Sequence, residues 1–433
     1  MKDLFFKFAV MLVLCTITAF SLISCGRVKN ISKTSTKSVN KSISESSERN
    51  ISSTTETKSM KTKNNVVIVN NDKIPDDSDF FVKEGKNSIY DKSRYLCFYE
   101  QTGILPKVVK TGTEGVYDYA IHEDGYVQIT KYNGEGGDVV IPEKIAGRPV
   151  AYIGNESFAE CDSVEHFEIP EDQYKIKSVV IPNTVVSIGN NAFFGCRKLR
   201  NLKLGNNLFC IGAETFAFCE SLQNVDFPTS LQYIGTSAFE GTGIIELKIH
   251  SNFKYLGWAA FANCKNLKRI QFEGGDIHID HALIENSGVE ELHIPANLNI
   301  QGNGVMFPCK SLKRVKYAEK MDKDTVVYSA MYADCLNLEE IKFPSNITAI
   351  KSEAFTGCKK LKQIHIPKSV KSIGSWAFVE CDSLRDVYFE SKDCDGLDDT
   401  CIELKYRRIH APSGGNIEEF CKNTLLLKFI PED

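Results

Sequence analysis

The sequence predicts a repeat solenoid, mostly β with short helical or 3-10 turns, made of about ten coils of 22–23 residues with a cap at each end. Three observations predict it. A phenylalanine recurs at Phe193, Phe216, Phe239 and Phe261, in steps of 23, 23 and 22 residues, and again at Phe355 and Phe378. Each lies in a similar segment, of which Ile373-Gly374-Ser375-Trp376-Ala377-Phe378-Val379-Glu380-Cys381 is one copy. One period also carries a fixed apolar set, Ile350, Ala354, Phe355, Cys358, Leu361, Ile364 and Ile366, with mostly polar residues between. No single coil can enclose such a set, so stacking must bury it, each phenylalanine contributing roughly 1.5–3 kcal/mol relative to exposure.

Within a coil, Leu361-Lys362-Gln363-Ile364-His365-Ile366-Pro367 ends in apolar/polar alternation, the period of a strand with one packed face and one wet face. Proline lacks the N–H that a sheet ladder needs, so Pro228, Pro295, Pro344 and Pro367 mark the exit from each strand. Val370 and Ile373 then predict a brief second strand. The Ala-Phe segment after Gly374 predicts one turn of helix or 3-10 structure.

The register extends through weaker copies. Phe158, Cys161, Val164 and Ile169-Pro170 make the first coil, and the step of 35 to Phe193 is one period plus an insertion of about twelve residues around positions 171–182. Counting Phe158, Phe193, Phe216, Phe239, Phe261, Leu283, Met306, Tyr332, Phe355 and Phe378 gives ten coils, of which the Leu283 coil is degenerate. Repeats thus occupy residues 151–390. Residues 84–150 read as the opening cap, with a hairpin signal at Asp124-Gly125. Residues 391–433 read as the closing cap, in which Ile417, Phe420, Cys421, Leu425 and Leu426 suit one face of a helix over 416–427.

These coils resemble the BspA-like leucine-rich repeat family of bacterial surface proteins, whose turns read like IGxxAFxxCxxLxxIxIP. The resemblance covers residues 118–389 and includes the lead-in Tyr119-Ala120-Ile121, Tyr132-Asn133-Gly134, Val140-Ile141-Pro142 and Gly147-Arg148-Pro149. It implies a leucine-rich repeat fold, a place on the cell surface, and a role in adhesion or protein–protein interaction. The chain departs from the pattern at 276–306 and in the insertion before Ile181. It also lacks, in most turns, the asparagine of the commoner leucine-rich consensus, with cysteine at a related inner position.

The N-terminus bears on location. Lys2 and Lys7 flank the start of an apolar run over residues 8–23, and Leu22-Ile23-Ser24-Cys25 resembles a lipoprotein lipobox. That implies a signal peptide over 1–24, cleavage before Cys25, lipid on Cys25, and an exported chain anchored to the outer face of the bacterial cell membrane. The competing reading is an uncleaved membrane helix, for which the run is short, since a span needs about 20 residues. Residues 25–83 are rich in Ser, Thr, Lys and Asn and cannot bury a core. They read as a disordered tether with an end-to-end distance of roughly 40 Å. Contact of its lysines with anionic lipid or wall polymer is the other reading.

Fifteen cysteines raise the question of disulfides or metal. Cys161, Cys196, Cys219, Cys264, Cys309, Cys335, Cys358 and Cys381 share one repeat position and form an internal column. Parallel side chains on coils about 4.8 Å apart keep their β-carbons near that distance, beyond the ~3.8 Å of a disulfide. They read as buried thiols. No CxxC pair supports zinc, and Cys394, Cys401 and Cys421, outside the column, leave one disulfide open.

Function falls to the outward face of the strands. One column reads Glu168, Lys203, Asp226, Lys248, Gln271, His293, Lys316, Lys342, His365 and Tyr388. The column two residues earlier reads His166, Asn201, Asn224, Glu246, Arg269, Glu291, Arg314, Glu340, Gln363 and Asp386. The candidate binding face is Lys203, Lys248, Arg269, His293, Arg314, Lys316, Lys342, His365 and Tyr388, fairly basic in its middle but interrupted by Glu246, Glu291 and Glu340. A merely solvated face is the alternative. Trp258 and Trp376 lie elsewhere on the coil and read as half-buried packing.

Enzyme chemistry has no support: there is no HExxH, GxSxG, phosphate loop or nucleotide fingerprint, and no catalytic residue or cofactor is expected. His278, Asp280, His281 and Glu285 have ligand-like spacing but read as polarity in an irregular coil, not as a metal site. A net charge of -4 without an aromatic-basic module argues against nucleic acid. The expected function is a lipid-anchored surface protein that binds another macromolecule: a host matrix protein, another bacterial cell or a surface polymer. The alternative is a structural or assembly component of its own envelope.

Overall fold

Successive coils lay their strands side by side on two faces. The computed structural model describes residues 107–160, 175–397, 400–402, 407–424 and 426–432. Residues 1–24, read above as a signal peptide, Cys25, residues 26–83, read as a tether, positions 84–106, and the residues Cys161, Val164, His166, Glu168 and Ile169-Pro170 read as part of the first coil lie outside the described residues. The chain divides into units 1–61 and 62–433, and every described residue belongs to the second.

On the first face lie the strands that precede each proline. Gln363–Ile366 is one, buried at Ile364 and Ile366 and exposed at Gln363 and His365, as its alternation predicts. Pro367 ends it, and its carbonyl accepts the Val370 N–H at 3.0 Å to close the turn; Pro228, Pro295 and Pro344 do the same in their coils. On the second face the short strands that follow, such as Ser372–Ile373, stack in parallel. In the N-terminal half they join an eleven-stranded sheet that begins at Val108–Glu114 and ends at Leu298–Gln301. Beside that edge strand lies the expected hairpin, Tyr117–His122 against Val127–Tyr132, which turns at Gly125 with φ 85 and whose second strand pairs in parallel with Arg148–Ile153.

The molecule is a β-solenoid of about twelve turns. The count of ten ring positions, eight of them aromatic, misses coils that lack the phenylalanine and cysteine signature. Gly137–Val140 pairs with Ile176–Val180 at the start, and Arg407–Ala411 and Leu427–Pro431 extend the ladder beyond Asp386–Phe389 at the end. The closing helix is therefore Asn416–Lys422, shorter than expected, because Leu427 already belongs to the last strand. Ile176–Val180 falls inside the stretch read as an insertion, yet it pairs in register with Asn201–Lys203.

The Ala-Phe segment is a run of hydrogen-bonded turns, not helix or 3-10. Left-handed residues two before and two after each ring interrupt it: Glu353 (φ 61) and Gly357 (φ 74) flank Phe355, and Trp376 (φ 61) and Glu380 (φ 58) flank Phe378. A left-handed residue cannot propagate a right-handed helix. The same marks place Ile284, not Leu283, at the ring position of the degenerate coil, since Ala282 (φ 62) and Asn286 (φ 50) flank it.

Inside, the rings stack coil on coil. Phe193 and Phe216 lie 5.2 Å apart, Phe216 and Phe239 5.2 Å, Phe239 and Phe261 5.4 Å, and Phe355 and Phe378 5.4 Å. Tyr132 continues the stack into the opening cap, 5.0 Å from Phe158. The cysteines do more than fill space. Cys219 Sγ donates to the Phe193 carbonyl of the preceding coil at 3.4 Å, Cys358 to Tyr332 at 3.2 Å and Cys381 to Phe355 at 3.1 Å. A small apolar side chain with a weak donor thus satisfies a lone pair that backbone N–H groups leave over. Burial pushes the Cys264 thiol up to about 11, and those of Cys335 and Cys358 also rise well above the usual range. All eleven described cysteines are buried thiols; no disulfide joins Cys394, Cys401 and Cys421.

The glycine of each Ile-Gly pair sits where one coil's corner touches the last. A Cβ on Gly235 would lie 2.6 Å from the Ala213 nitrogen and 2.7 Å from the Gly212 carbonyl carbon. Gly212, Gly257 and Gly374 meet the preceding coil's backbone just as closely.

Candidate binding face

The strand pairing sets the outward columns. Lys248 pairs with Gln271, His293 with Lys316, Lys316 with Lys342, and His365 with Tyr388. In the second column Glu246 pairs with Arg269, Glu291 with Arg314, Arg314 with Glu340, and Gln363 with Asp386. Because alternate strand residues face opposite ways, Leu247, Ile270, Val315 and Val387 between them are buried while these columns meet solvent. Two column positions change. Val180 pairs with Lys203, in the place expected for Glu168, and His410 pairs with Tyr388 as a further member.

The middle of the face is less basic than its composition suggests. Glu291 draws in three neighbours: Lys316 Nζ at 2.8 Å, Arg314 at 3.0 Å and His293 Nε2 at 2.9 Å. The hydrogen bonds from Lys316 and then Arg314 hold its carboxyl down to about 2. Arg269 pairs with Glu246 at 3.3 Å, and Lys342 lies 3.5 Å from Glu340. Among the described residues, Lys203 and Lys248 have no ion pair. Partners one coil apart are 23 or 25 residues apart in sequence, so composition shows the charges but not which rotamers bring them together.

At the C-terminal end the column becomes a stack. The His365 and Tyr388 rings lie 4.4 Å apart at 5°, and Tyr388 and His410 4.1 Å apart at 24°. His410 is held between Asp386, 2.9 Å from Nε2, and Glu432, 2.7 Å from Nδ1. Arg408 grips Asp386 at 2.6 Å and 2.5 Å, and this pairing, first among the causes, lowers the Asp386 carboxyl below its usual range. Sequence reading places Ile409-His410-Ala411-Pro412 in the closing cap, leading into its helix, and so leaves His410 and Arg408 off the face; alternation over Arg407–Ala411 is the available signal.

The residues with ligand-like spacing do not converge. His278 stacks on Tyr255 at 5.7 Å and contacts Asp280, which also accepts the Tyr255 hydroxyl, whereas His281 packs on Phe307. Among the described residues, no group of three His, Cys, Asp or Glu is placed to hold a metal ion. Trp258 is half-buried, while Trp376 is 50% exposed. No helix among the described residues is long and apolar enough to cross a membrane.

The sequence matches the BspA type Leucine rich repeat region, in six copies, at residues 139–178, 171–274, 232–324 and 325–424. These matches span well over half of the 433 residues, and the chain belongs to the BspA-type leucine-rich repeat family. Members of this family are typically bacterial cell-surface proteins that serve as binding scaffolds. No curated protein matches the chain.

Solved structures similar to it include a leucine rich cell surface protein from Faecalibacterium prausnitzii, at 22% identity over 68% of this chain and 98% of that one, with a TM-score of 0.30. A leucine-rich repeat protein from Bacteroides ovatus has 21% identity over 75% and 98%, with a TM-score of 0.32. The pneumococcal vaccine antigen PcpA has 18% identity over 76% and 100%, with a TM-score of 0.38. The assignment of fold rests on the family match and the coil geometry.

Proposed function

We propose that this chain is a lipid-anchored cell-surface protein that uses the outward strand face of its solenoid to bind another macromolecule, in adhesion or protein–protein interaction. The observation that carries the reading is the pair of outward columns. They extend in register over successive coils and take no part in the core, so their residues are available to a partner. The lipobox-like Leu22-Ile23-Ser24-Cys25 and the Ser/Thr-rich stretch after it support an anchor on a tether. Family membership supports the surface location and a scaffold role rather than catalysis.

Labelling intact cells with a membrane-impermeant amine reagent tests this. The solenoid lysines are expected to react in the wild type, and Cys25→Ala is expected to abolish incorporation of a fatty-acid probe. A chain that reacts only after the wall is stripped indicates an envelope assembly role. A Cys25→Ala chain that stays uncleaved and membrane-bound indicates a membrane helix in place of a lipid anchor.

A further inference from the structure

We propose that the outer column of the strand face binds a linear acidic polysaccharide laid along the solenoid axis, an inference that rests on the strand face being the binding surface. From Lys203 to His410 this column contains one carboxylate, Asp226. Its last six positions, His293, Lys316, Lys342, His365, Tyr388 and His410, contain none. The other acidic residues of the face stand in the neighbouring column, where arginine one coil on engages three of them: Arg269 on Glu246 at 3.3 Å, Arg314 on Glu291 at 3.0 Å and Arg408 on Asp386 at 2.5 Å. That column largely neutralises itself, and the surplus positive charge falls to the lysines.

Lys316 and Lys342 also touch Glu291 and Glu340, but through side chains 39% and 66% exposed. Exposed pairs of this kind contribute little net stability, so a polyanion can displace them. Lys203 and Lys248 have no ion pair to break. Coils repeat about every 4.8 Å along a line, which suits a polymer bearing anionic groups at regular intervals better than a compact ligand.

The ring stack favours a sugar polymer over a nucleic acid strand. Single-stranded nucleic acid binds on open aromatic faces. Here both faces of Tyr388 are covered by His365 and His410, at 4.4 Å and 4.1 Å, and the edges are left to meet solvent. An exposed imidazole edge and a half-buried phenol offer hydrogen bonds to hydroxyl and carboxylate groups.

The test uses the full-length chain in detergent micelles, with polygalacturonate, neutral dextran and oligo-dT as probes. Polygalacturonate is expected to bind and to be released by high salt. Lys316→Glu with Lys342→Glu is expected to weaken it by at least about ten-fold, while Lys351→Glu with Lys371→Glu, beside the short second strands, changes it less than about two-fold. No binding of polygalacturonate, equal binding of dextran, tighter binding of oligo-dT, or equal loss from both lysine pairs overturns the proposal. If polygalacturonate fails but a captured protein is lost on reversing Lys316 and Lys342, this inference falls and the strand-face reading stands. If reversal affects no ligand at all, both fall.

Discussion

Phe216→Ala is expected to destabilise the solenoid by about 4 kcal/mol. Phe216 is fully buried and stacked on both sides, against Phe193 at 5.2 Å and 6° and against Phe239 at 5.2 Å and 21°. Truncation removes the ring's transfer energy, opens a cavity that rigid neighbouring coils cannot fill, and breaks two ring pairs worth roughly 0.5–1.5 kcal/mol each. The degenerate coil supplies the control. Ile284 and Met306 hold the same position without a ring, so Phe216→Ile is expected to cost much less than alanine. Denaturant titration measures the difference. Because each coil touches only its neighbours, hydrogen exchange is expected to rise mainly in the coils of Phe193, Phe216 and Phe239. Equal costs for alanine and isoleucine contradict a role for buried volume in the column.

Gly235→Ala is expected to cost about 3 kcal/mol, a large penalty for a single methyl group. The φ of Gly235 does not require glycine; the space does. Its Cβ would meet the Ala213 nitrogen at 2.6 Å and the Gly212 carbonyl carbon at 2.7 Å, both backbone atoms of the preceding coil. Relief requires the two coils to separate at the corner, where the Gly235 N–H reaches the Ile211 carbonyl at 2.9 Å. Gly147 is the contrast: its φ is 70, but nothing lies within 4 Å of an added Cβ. Gly147→Ala is therefore expected to cost about 1 kcal/mol, for the left-handed backbone alone. Thermal melts of the two variants separate steric from conformational demand, and a Gly235→Ala cost no greater than that of Gly147→Ala contradicts the corner contact.

Most of the coil was legible because its constraints are local and repeat. Alternation before proline gives the first strand, Val370 and Ile373 the second, and the 22–23 residue period gives the ring stack and the thiol column. The turns over the Ala-Phe segment were not legible. The left-handed position before each ring is held by Glu353, Trp376, Ala259 and other non-glycine residues, glycine marks only some of the positions after it, such as Gly357, and coil stacking imposes the conformation. Ile176–Val180 was not legible as a strand because the step of 35 to Phe193 reads as one period plus an insertion over 171–182, yet it pairs with its neighbours and exits through Ile181-Pro182. The closing coils lack the Ala-Phe-x-x-Cys segment that marks the others, so His410 and Arg408 do not stand out in the sequence. Which residues share the face followed from sequence; the gathering of Lys316, Arg314 and His293 on Glu291 depends on side-chain geometry across coils.

We propose that the outward strand columns, not the turns or the caps, meet the partner. The most direct test is a pull-down with the full-length chain against host matrix components and against envelope extract at physiological salt. Reversing Lys248, Arg269 and Lys316 together is compared with reversing Lys351 and Lys371. A retained component is expected to be lost with the strand-face triple and kept with the control pair. Retention that survives the triple reversal, or that falls equally with both sets, contradicts it.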